Sequence, residues 1–107
     1  MQEPTFLIMT ALAAGPQHGY GLIQQVAELS GGRLRLRPGT LYGALDRLAG
    51  EGLVARDREE VIDGRLRRYY RLTDPGADAL ATHARRLRAN ADAAEARLRI
   101  RLRAATT

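Results

Sequence analysis

The chain contains no cysteine, no lysine and no tryptophan. Without cysteine it can form neither a disulfide nor a thiolate metal site. All 17 basic residues are therefore arginine, whose guanidinium group suits bidentate contacts with phosphate and guanine. Codon usage in a GC-rich genome also favours arginine over lysine, so the total alone does not identify a partner. Aromatic residues make up only 5% of the chain, which leaves aliphatic side chains to build the core.

Long hydrophobic runs are also missing. The longest, Phe6–Met9, is far too short to span a bilayer, and no basic segment precedes it as in a signal peptide. We therefore expect a cytoplasmic protein with no membrane partner. The length of 107 residues, with 45% hydrophobic and 27% charged residues, predicts one globular unit with a modest core.

Positive charge is concentrated after residue 32. Residues 1–32 carry a net charge of −2, whereas residues 33–72 carry +4 and residues 73–107 carry +3. Within a total of +5, this split indicates a negatively charged partner, for which nucleic acid and an anionic membrane surface are the candidates. The alternate spacing of Arg97, Arg99, Arg101 and Arg103 scatters them around a helix, which argues against the membrane surface.

Proline, glycine and hydrophobic spacing predict a mainly α fold with a small β-hairpin. Pro4 and Pro38 stand where first-turn prolines are favoured, Asp74 is a plausible N-cap, and Asp63-Gly64 is a strong turn signal. The predicted helices are residues 3–14, 18–29, 38 to a cap at 52, and 74 to the terminal threonines. The predicted strands are residues 34–36, 54–60 and 66–73.

The spacing of apolar residues predicts which side chains are buried. The second helix is expected to bury Tyr20, Ile23, Val26, Ala27 and Leu29. The third is expected to bury Leu41, Leu45 and Leu48. On the return strand of the hairpin, strict alternation predicts that Tyr70 faces the core while Tyr69 lies on an exposed face with Arg67 and Arg71.

The fourth helix, on the order of 30 residues, is much longer than the average of about 11. Its apolar residues step by four and three, which is the heptad pattern of a helix that pairs with another. We predict a dimerisation helix over residues 74–107, after a DNA-binding domain over residues 1–73. The predicted dimer seam is Leu80, Ala84, Leu87, Ala91, Ala94, Leu98 and Leu102.

Three short helices followed by a hairpin is the order of a winged helix-turn-helix protein. In such proteins the second helix of the motif, here the third of the chain, enters the major groove of DNA. The candidate DNA contacts on this helix are Arg37, Gly39, Thr40, Tyr42, Gly43 and Arg47. The hairpin adds Arg65, Arg67, Arg68 and Tyr69, which would meet phosphates along the backbone or minor groove.

Two alternatives concern these side chains. The hairpin arginines could instead pair with Asp57, Glu59 and Glu60 on the facing strand. Tyr42 could turn inward and complete the core. If neither surface reaches DNA, the chain would be a winged-helix protein-interaction module without DNA binding.

The sequence does not favour an enzyme. The only histidines, His18 and His83, lie far apart, and neither has a nearby metal-spaced carboxylate pair. We interpret His18 as a helix-start residue and His83 as a surface residue. We expect no catalytic residue, no metal and no cofactor.

The chain resembles the PadR family of bacterial regulators from about Phe6 to Leu80. The resemblance is carried by His18-Gly19-Tyr20, Pro38-Gly39-Thr40-Leu41-Tyr42, Ala44-Leu45, Arg47-Leu48, Glu51-Gly52-Leu53-Val54, Arg68-Tyr69-Tyr70-Arg71-Leu72-Thr73 and Gly76. It implies a homodimer that binds double-stranded DNA, usually as a repressor and sometimes with a small-molecule effector. The single C-terminal helix is typical of the smaller subfamily.

The chain departs from the family pattern at two positions. Arg37 stands where a capping serine is common, which weakens the cap of the third helix and adds a phosphate contact candidate. Gly21 replaces an acidic residue and is expected only to loosen the second helix by about 1 kcal/mol. No aromatic residue occurs on the fourth helix, so an effector would have to use aliphatic space beside it.

Overall fold

The computed structural model describes residues 1–106 and confirms a winged helix-turn-helix architecture with a long C-terminal helix. The elements in chain order are α1 Glu3–Ala13, β1 Gln17–His18, α2 Gly19–Leu29, α3 Pro38–Gly50, β2 Val54–Ile62, β3 Arg65–Leu72 and α4 Asp74–Thr106.

The sheet has three antiparallel strands in the order β1-β3-β2. Its third strand is β1, whose Gln17 and His18 pair with Tyr70 and Tyr69. The strand predicted over residues 34–36 is wrong, because that segment has no regular secondary structure and pairs with no strand. Its alternating pattern has another cause, since Leu34 and Leu36 pack against the core while Arg35 between them is exposed.

The core lies between the three short helices and the base of the hairpin. Its fully buried large side chains are Ile8, Met9, Leu22, Val26, Leu41, Leu45 and Leu48. The stripe predicted for the second helix is wrong in part, because Tyr20 is 66% and Leu29 is 50% exposed. The buried positions of α2 fall three and four residues apart at Gly19, Leu22 and Val26, and Tyr20 lies about 100° around the helix from Gly19.

The hairpin of β2 and β3, called the wing below, closes through Asp63-Gly64. Both turn residues have positive φ, 52° and 75°, as a two-residue type I′ turn requires. A register irregularity between Arg56 and Glu59 adds one residue to β2 relative to β3, and Glu59 and Glu60 then stand opposite Arg68 and Arg67. Such a bulge increases the local twist of the strand pair.

The junction between the wing and α4 is fixed by Thr73. Its Oγ1 accepts a hydrogen bond from Gly76 N at 3.0 Å and donates one to the Gly52 carbonyl at 2.6 Å. Thr73 therefore caps α4, and the cap predicted at Asp74 is off by one residue. Gly76 packs so tightly against the Leu53 carbonyl that no side chain fits at this position.

Only the first turns of α4 contact the body of the protein. Leu80 is half-buried and packs against the core of its own chain, so the predicted seam position at its start already has an intramolecular contact. His83 lies against Phe6, with ring centroids 5.4 Å apart, and is not the open surface residue that was expected. With 33 residues, α4 is about 50 Å long and gives the molecule its longest dimension of 68 Å.

Beyond His83, the remaining seam side chains within residues 1–106 are exposed. They are Ala84, Leu87, Ala91, Ala94, Leu98 and Leu102. Thr107, the last residue of the predicted dimerisation segment, lies outside the described residues. None of the helices in the described part of the chain is both long enough and apolar enough to cross a bilayer.

Candidate nucleic-acid interface

The N-terminal turn of α3 is exposed and has no side-chain cap. Arg37 occupies the N-cap position without a capping hydrogen bond, as its replacement of serine predicts. Pro38 follows at the first helical position, and Gly39, Thr40 and Gly43 are exposed. The free N–H groups of this turn and the positive end of the helix dipole are suited to an anion.

Tyr42 is 42% exposed and does not complete the core. Its ring lies against Gly19, the first residue of α2, where a Cβ atom would collide with the phenol. The alternative that Tyr42 turns inward is therefore wrong. The tyrosine stands at the junction of α2, α3 and the wing.

Arg47 is directed toward α1 rather than toward the wing. Its Nη2 donates to Thr5 Oγ1 at 3.3 Å, and it lies about 140° around α3 from Tyr42. The structure therefore does not bring Arg47 together with the other candidate contacts. A phosphate contact at Arg47 stays a prediction and would involve a different part of the DNA backbone.

The wing arginines fall into two groups. Arg68 pairs with Glu59 at 3.3 Å and Arg71 with Asp57 at 3.9 Å, so cross-hairpin pairing occurs for these two. Within residues 1–106, neither Arg65 nor Arg67 has a carboxylate within 4.0 Å. Arg56 on β2 likewise has no carboxylate within this distance, so these three guanidinium groups are the unpaired positive charges of the wing.

Tyr69 is only 9% exposed, so the prediction that it lies on an open face with the arginines is wrong. The Arg58 guanidinium carbon lies 4.0 Å from the ring centroid, and the His18 ring meets Tyr69 edge-on at 5.3 Å. Because β1 pairs with β3 at this point, His18 stands directly beside Tyr69 on the same side of the sheet, and its ring helps to bury the phenol. Little of the Tyr69 ring is available to a nucleotide.

Arg58 pairs with two of the acidic residues of β2. Its Nε donates to Glu60 at 2.8 Å and its Nη1 to Asp57 at 3.1 Å. The hydrogen bond from Arg58, with smaller contributions from the Tyr69 hydroxyl and Arg67, lowers the pKa of Glu60 below its ordinary value. Glu60 is therefore ionised at neutral pH and is partnered mainly by Arg58.

His18 connects α2 to the wing. Its Nδ1 accepts a hydrogen bond from Gly21 N at 3.2 Å and so caps α2, as expected for a helix-start residue. Its Nε2 lies 3.5 Å from Arg67 Nη1. Burial and the charge of Arg67 lower the pKa of His18 below its ordinary value, with Glu60 acting in the opposite direction. The ring is therefore neutral at pH 7.

A cleft of about 410 Å³ opens between the start of α2, α3 and the wing. Its lining is His18, Gly19, Tyr20, Tyr42, Arg65, Leu66, Arg67 and Arg68. Sequence reasoning assigned neither His18 nor Tyr20 to this surface, because the pairing of β1 with β3 joins residues about fifty positions apart and leaves no local signal. The cleft presents positive charge, aromatic surface and hydroxyl groups together.

The arrangement is suited to binding an anion. No group of three or more His, Cys, Asp or Glu residues within residues 1–106 is placed to hold a metal ion. The buried side chains of the described part leave no polar atom without a hydrogen-bond partner. What the surface offers is hydrogen-bond donors and positive charge.

Comparison with known proteins identifies a family of transcriptional regulators. A model of the transcriptional regulator PadR-like family matches residues 8–82. A transcriptional regulator of Mycobacterium tuberculosis is 46% identical over 70 residues, 65% of this chain and 62% of that protein. An uncharacterised 37.1 kDa transposon protein of Streptomyces fradiae is 43% identical over 82 residues, 77% of this chain and 22% of that protein. The chain thus spans less than two thirds of each.

Solved structures show the same fold. A PadR family transcription regulator of Clostridium difficile superimposes with a TM-score of 0.75 at 28% identity, covering 86% of this chain and 94% of that one. Bacillus subtilis PadR, solved in complex with operator DNA, superimposes with a TM-score of 0.65 at 23% identity. That match covers 75% of this chain and 45% of the other and establishes the shared fold.

Proposed function

The chain belongs to the PadR-like family of transcriptional regulators, and on that premise we propose that it is a homodimeric repressor that binds an inverted-repeat operator. In this proposal α3 enters the major groove from its N-terminus, and the wing follows the DNA backbone. The protein is a regulator and not an enzyme, and it acts in the cytoplasm, where the operator is. We assign it no effector.

The observation that carries the proposal is the convergence of α3 and the wing on one cleft. Tyr42 of α3 and the unpaired Arg65 and Arg67 of the wing line the same cavity, next to the uncapped first turn of α3. Arginine guanidinium groups bind phosphate oxygens through charge-assisted, often bidentate hydrogen bonds, and such contacts position proteins on DNA. The Bacillus subtilis protein of the same fold, solved with operator DNA, supports this interpretation.

The dimer is supported by α4. Its exposed Leu and Ala side chains follow a heptad seam that has no partner within the described chain. Pairing through this seam would bury them and place two DNA-binding units around a two-fold axis. A two-fold axis predicts an inverted repeat whose half-sites are about one helical turn, roughly 34 Å, apart.

DNA binding is tested by footprinting on the DNA next to the gene, followed by fluorescence anisotropy at increasing salt. Each phosphate neutralised by an arginine contributes about 0.9 to the slope of log affinity against log salt. Arg65→Ala combined with Arg67→Ala should therefore weaken binding and reduce the magnitude of the slope by about 2.

Arg71→Ala is the matched control, because Arg71 lies on the same strand but already pairs with Asp57. It should leave the slope nearly unchanged. If the wild-type protein shows no salt-sensitive binding even at low salt, the chain is a winged-helix protein-interaction module. If the double variant binds like the wild type, α3 acts without the wing.

A further inference from the structure

The protonation of His18 follows from its hydrogen bonds. A neutral imidazole has one nitrogen that accepts and one that carries hydrogen. Because Nδ1 accepts from the Gly21 N–H at 3.2 Å, the hydrogen of the neutral ring must be on Nε2. The lowered pKa of His18 keeps the ring in this neutral form at pH 7. His18 therefore presents an N–H donor on its far side.

Within residues 1–106, this donor has no acceptor. The polar group that it meets is Arg67 Nη1 at 3.5 Å, and a guanidinium group only donates. Two donors thus face each other at the wall of the cleft. Glu60, which stands opposite Arg67 across the hairpin, does not serve as the missing acceptor, because its Oε1 accepts from Arg58 Nε and no carboxylate lies within 4.0 Å of His18 or Arg67.

An anionic oxygen placed between these two groups would satisfy both. Charge-assisted hydrogen bonds of this kind are short and about twice as strong as neutral ones. The cleft beside them, at about 410 Å³, has room for a phosphate group, and Arg65 and Arg68 add positive charge around it. Tyr42, on the opposite wall, belongs to α3, so an anion at this point would lie between the two DNA-binding elements.

We propose that the Nε2–H of His18 and the guanidinium of Arg67 together bind one backbone phosphate of DNA, at the point where the wing meets α2. The proposal rests on the function proposed above and adds a contact residue outside α3 and the wing. His18 then has two roles, since Nδ1 caps α2 while Nε2 donates to the phosphate. The cap fixes the direction of the donor before DNA arrives.

His18→Asn separates the two roles. Asparagine is a good N-cap whose side-chain oxygen can accept from Gly21 N, but it has no donor at the position of Nε2. We expect DNA affinity to fall about tenfold, as for the loss of one hydrogen bond to a charged group. The salt slope should stay unchanged, because the lost donor is neutral. Arg67→Gln should lower both affinity and slope, the slope by about 0.9.

The double variant tests whether the two side chains share one phosphate. If they do, the combined loss should be smaller than the product of the single losses. Losses that multiply would overturn the shared site. Full affinity in His18→Asn, together with weaker binding in Arg67→Gln, would also overturn it while leaving the proposed function intact. A wild-type protein that binds no DNA at any salt would instead reject the proposed function.

Two further measurements are made on the wild-type protein. In the wild-type protein, ¹⁵N spectra of the His18 ring should show the Nε2–H form in free protein and a changed Nε2 signal in the DNA complex. An unchanged signal would overturn the proposal. Titration with inorganic phosphate, against chloride at equal ionic strength, identifies the source of the anion. A response to phosphate combined with normal DNA binding by His18→Asn would indicate a free-anion site and contradict a DNA contact.

Discussion

The ring of Tyr42 lies across Gly19 so closely that a methyl group at position 19 would overlap the phenol. This contact joins the first residue of α2 to an exposed side chain of α3, the helix proposed to enter the major groove. Because Tyr42 is partly open to solvent, it can swing away from an obstacle without disturbing the core. The position of Tyr42 on the proposed DNA-binding surface thus depends on the absence of a side chain at residue 19.

Gly19→Ala is therefore expected to separate binding from stability. Alanine is the better helix former, so the free energy of unfolding should stay the same or rise by up to about 1 kcal/mol. DNA affinity should fall about three- to tenfold, equivalent to roughly 1 kcal/mol, since Tyr42 is displaced. Thermal unfolding measures the change in stability, and fluorescence anisotropy measures the change in DNA affinity. Unchanged affinity would show that Tyr42 does not contact DNA in the orientation seen here.

Local signals in the sequence were enough to predict α3, the wing turn and α4. Pro38 with leucines at positions 41, 45 and 48 sets the start and the buried side of α3, and Asp63-Gly64 sets the turn, all within a few residues of chain. Each of these features depends on backbone preferences or on periodicity inside one element. The family resemblance rests on the same segments.

The features that were missed depend on contacts between distant residues. Strand alternation allows only one of Tyr69 and Tyr70 to face the core, yet both are buried, because side chains of β1 and β2, His18 and Arg58, lie against the Tyr69 ring. A two-residue strand has no pattern of its own. The cleft beside His18 could not be predicted for the same reason, since it exists only where β1 meets the wing.

At Gly21 the local prediction was incomplete, because the packing around this residue determines its role. The sequence suggested only a looser helix, but Gly21 is buried and a Cβ atom there would collide with the Gln17 side chain. The glycine lets β1 and α2 follow each other closely, and its N–H forms the cap with His18.

Gly76→Ala is expected to destabilise the protein strongly. A Cβ atom at this position meets the Leu53 carbonyl, and backbone cannot move aside as a flexible side chain can. Overpacking of this kind costs about 1–3 kcal/mol, offset only in part by the helix preference for alanine. Gly50→Ala, at the end of α3 with nothing within 4 Å, is the control and should be neutral or stabilising. Chemical denaturation measures both, and equal stabilities would contradict the close approach at Gly76.

Acid should weaken the fold through His18. Its pKa is lowered in the folded chain by burial and by Arg67, while in the unfolded chain it lies near the ordinary 6.5. Neutral His18 therefore stabilises the fold fully above pH 6.5, and this contribution declines as the pH falls from there toward the lower folded pKa. Protonated Nδ1 can no longer accept from Gly21 N. Glu60 partly opposes the shift, because its charge favours the cation.

Comparison with His18→Asn isolates this contribution. His83 also has a lowered pKa, caused by burial, the amino terminus and Arg86, and it acts in the same direction in both proteins. The free energy of unfolding of both proteins is measured in urea at several pH values. As the pH falls below 6.5, that of the wild type should decrease relative to that of the variant. A difference that stays constant from pH 7.5 to about 5 would show that His18 does not titrate as its surroundings require.

Leu98→Glu tests whether the dimer seam lies on the side of α4 that carries Leu98 or on the side that carries Ile100. Leu98 and Ile100 are each 62% exposed in the single chain, but only Leu98 belongs to the heptad stripe, and Ile100 lies about 200° around α4 from it. A charge at Leu98 would be buried against the partner helix, which costs several kcal/mol unless it is paired, so we expect a monomer at micromolar concentration by ultracentrifugation. Helix content by circular dichroism should change little if the monomer keeps its fold.

Ile100→Glu should remain dimeric, since the same charge would face water. Dissociation by the second substitution and not the first would place the seam on the other side of α4, and a monomeric wild-type protein would remove the dimer from the proposed function.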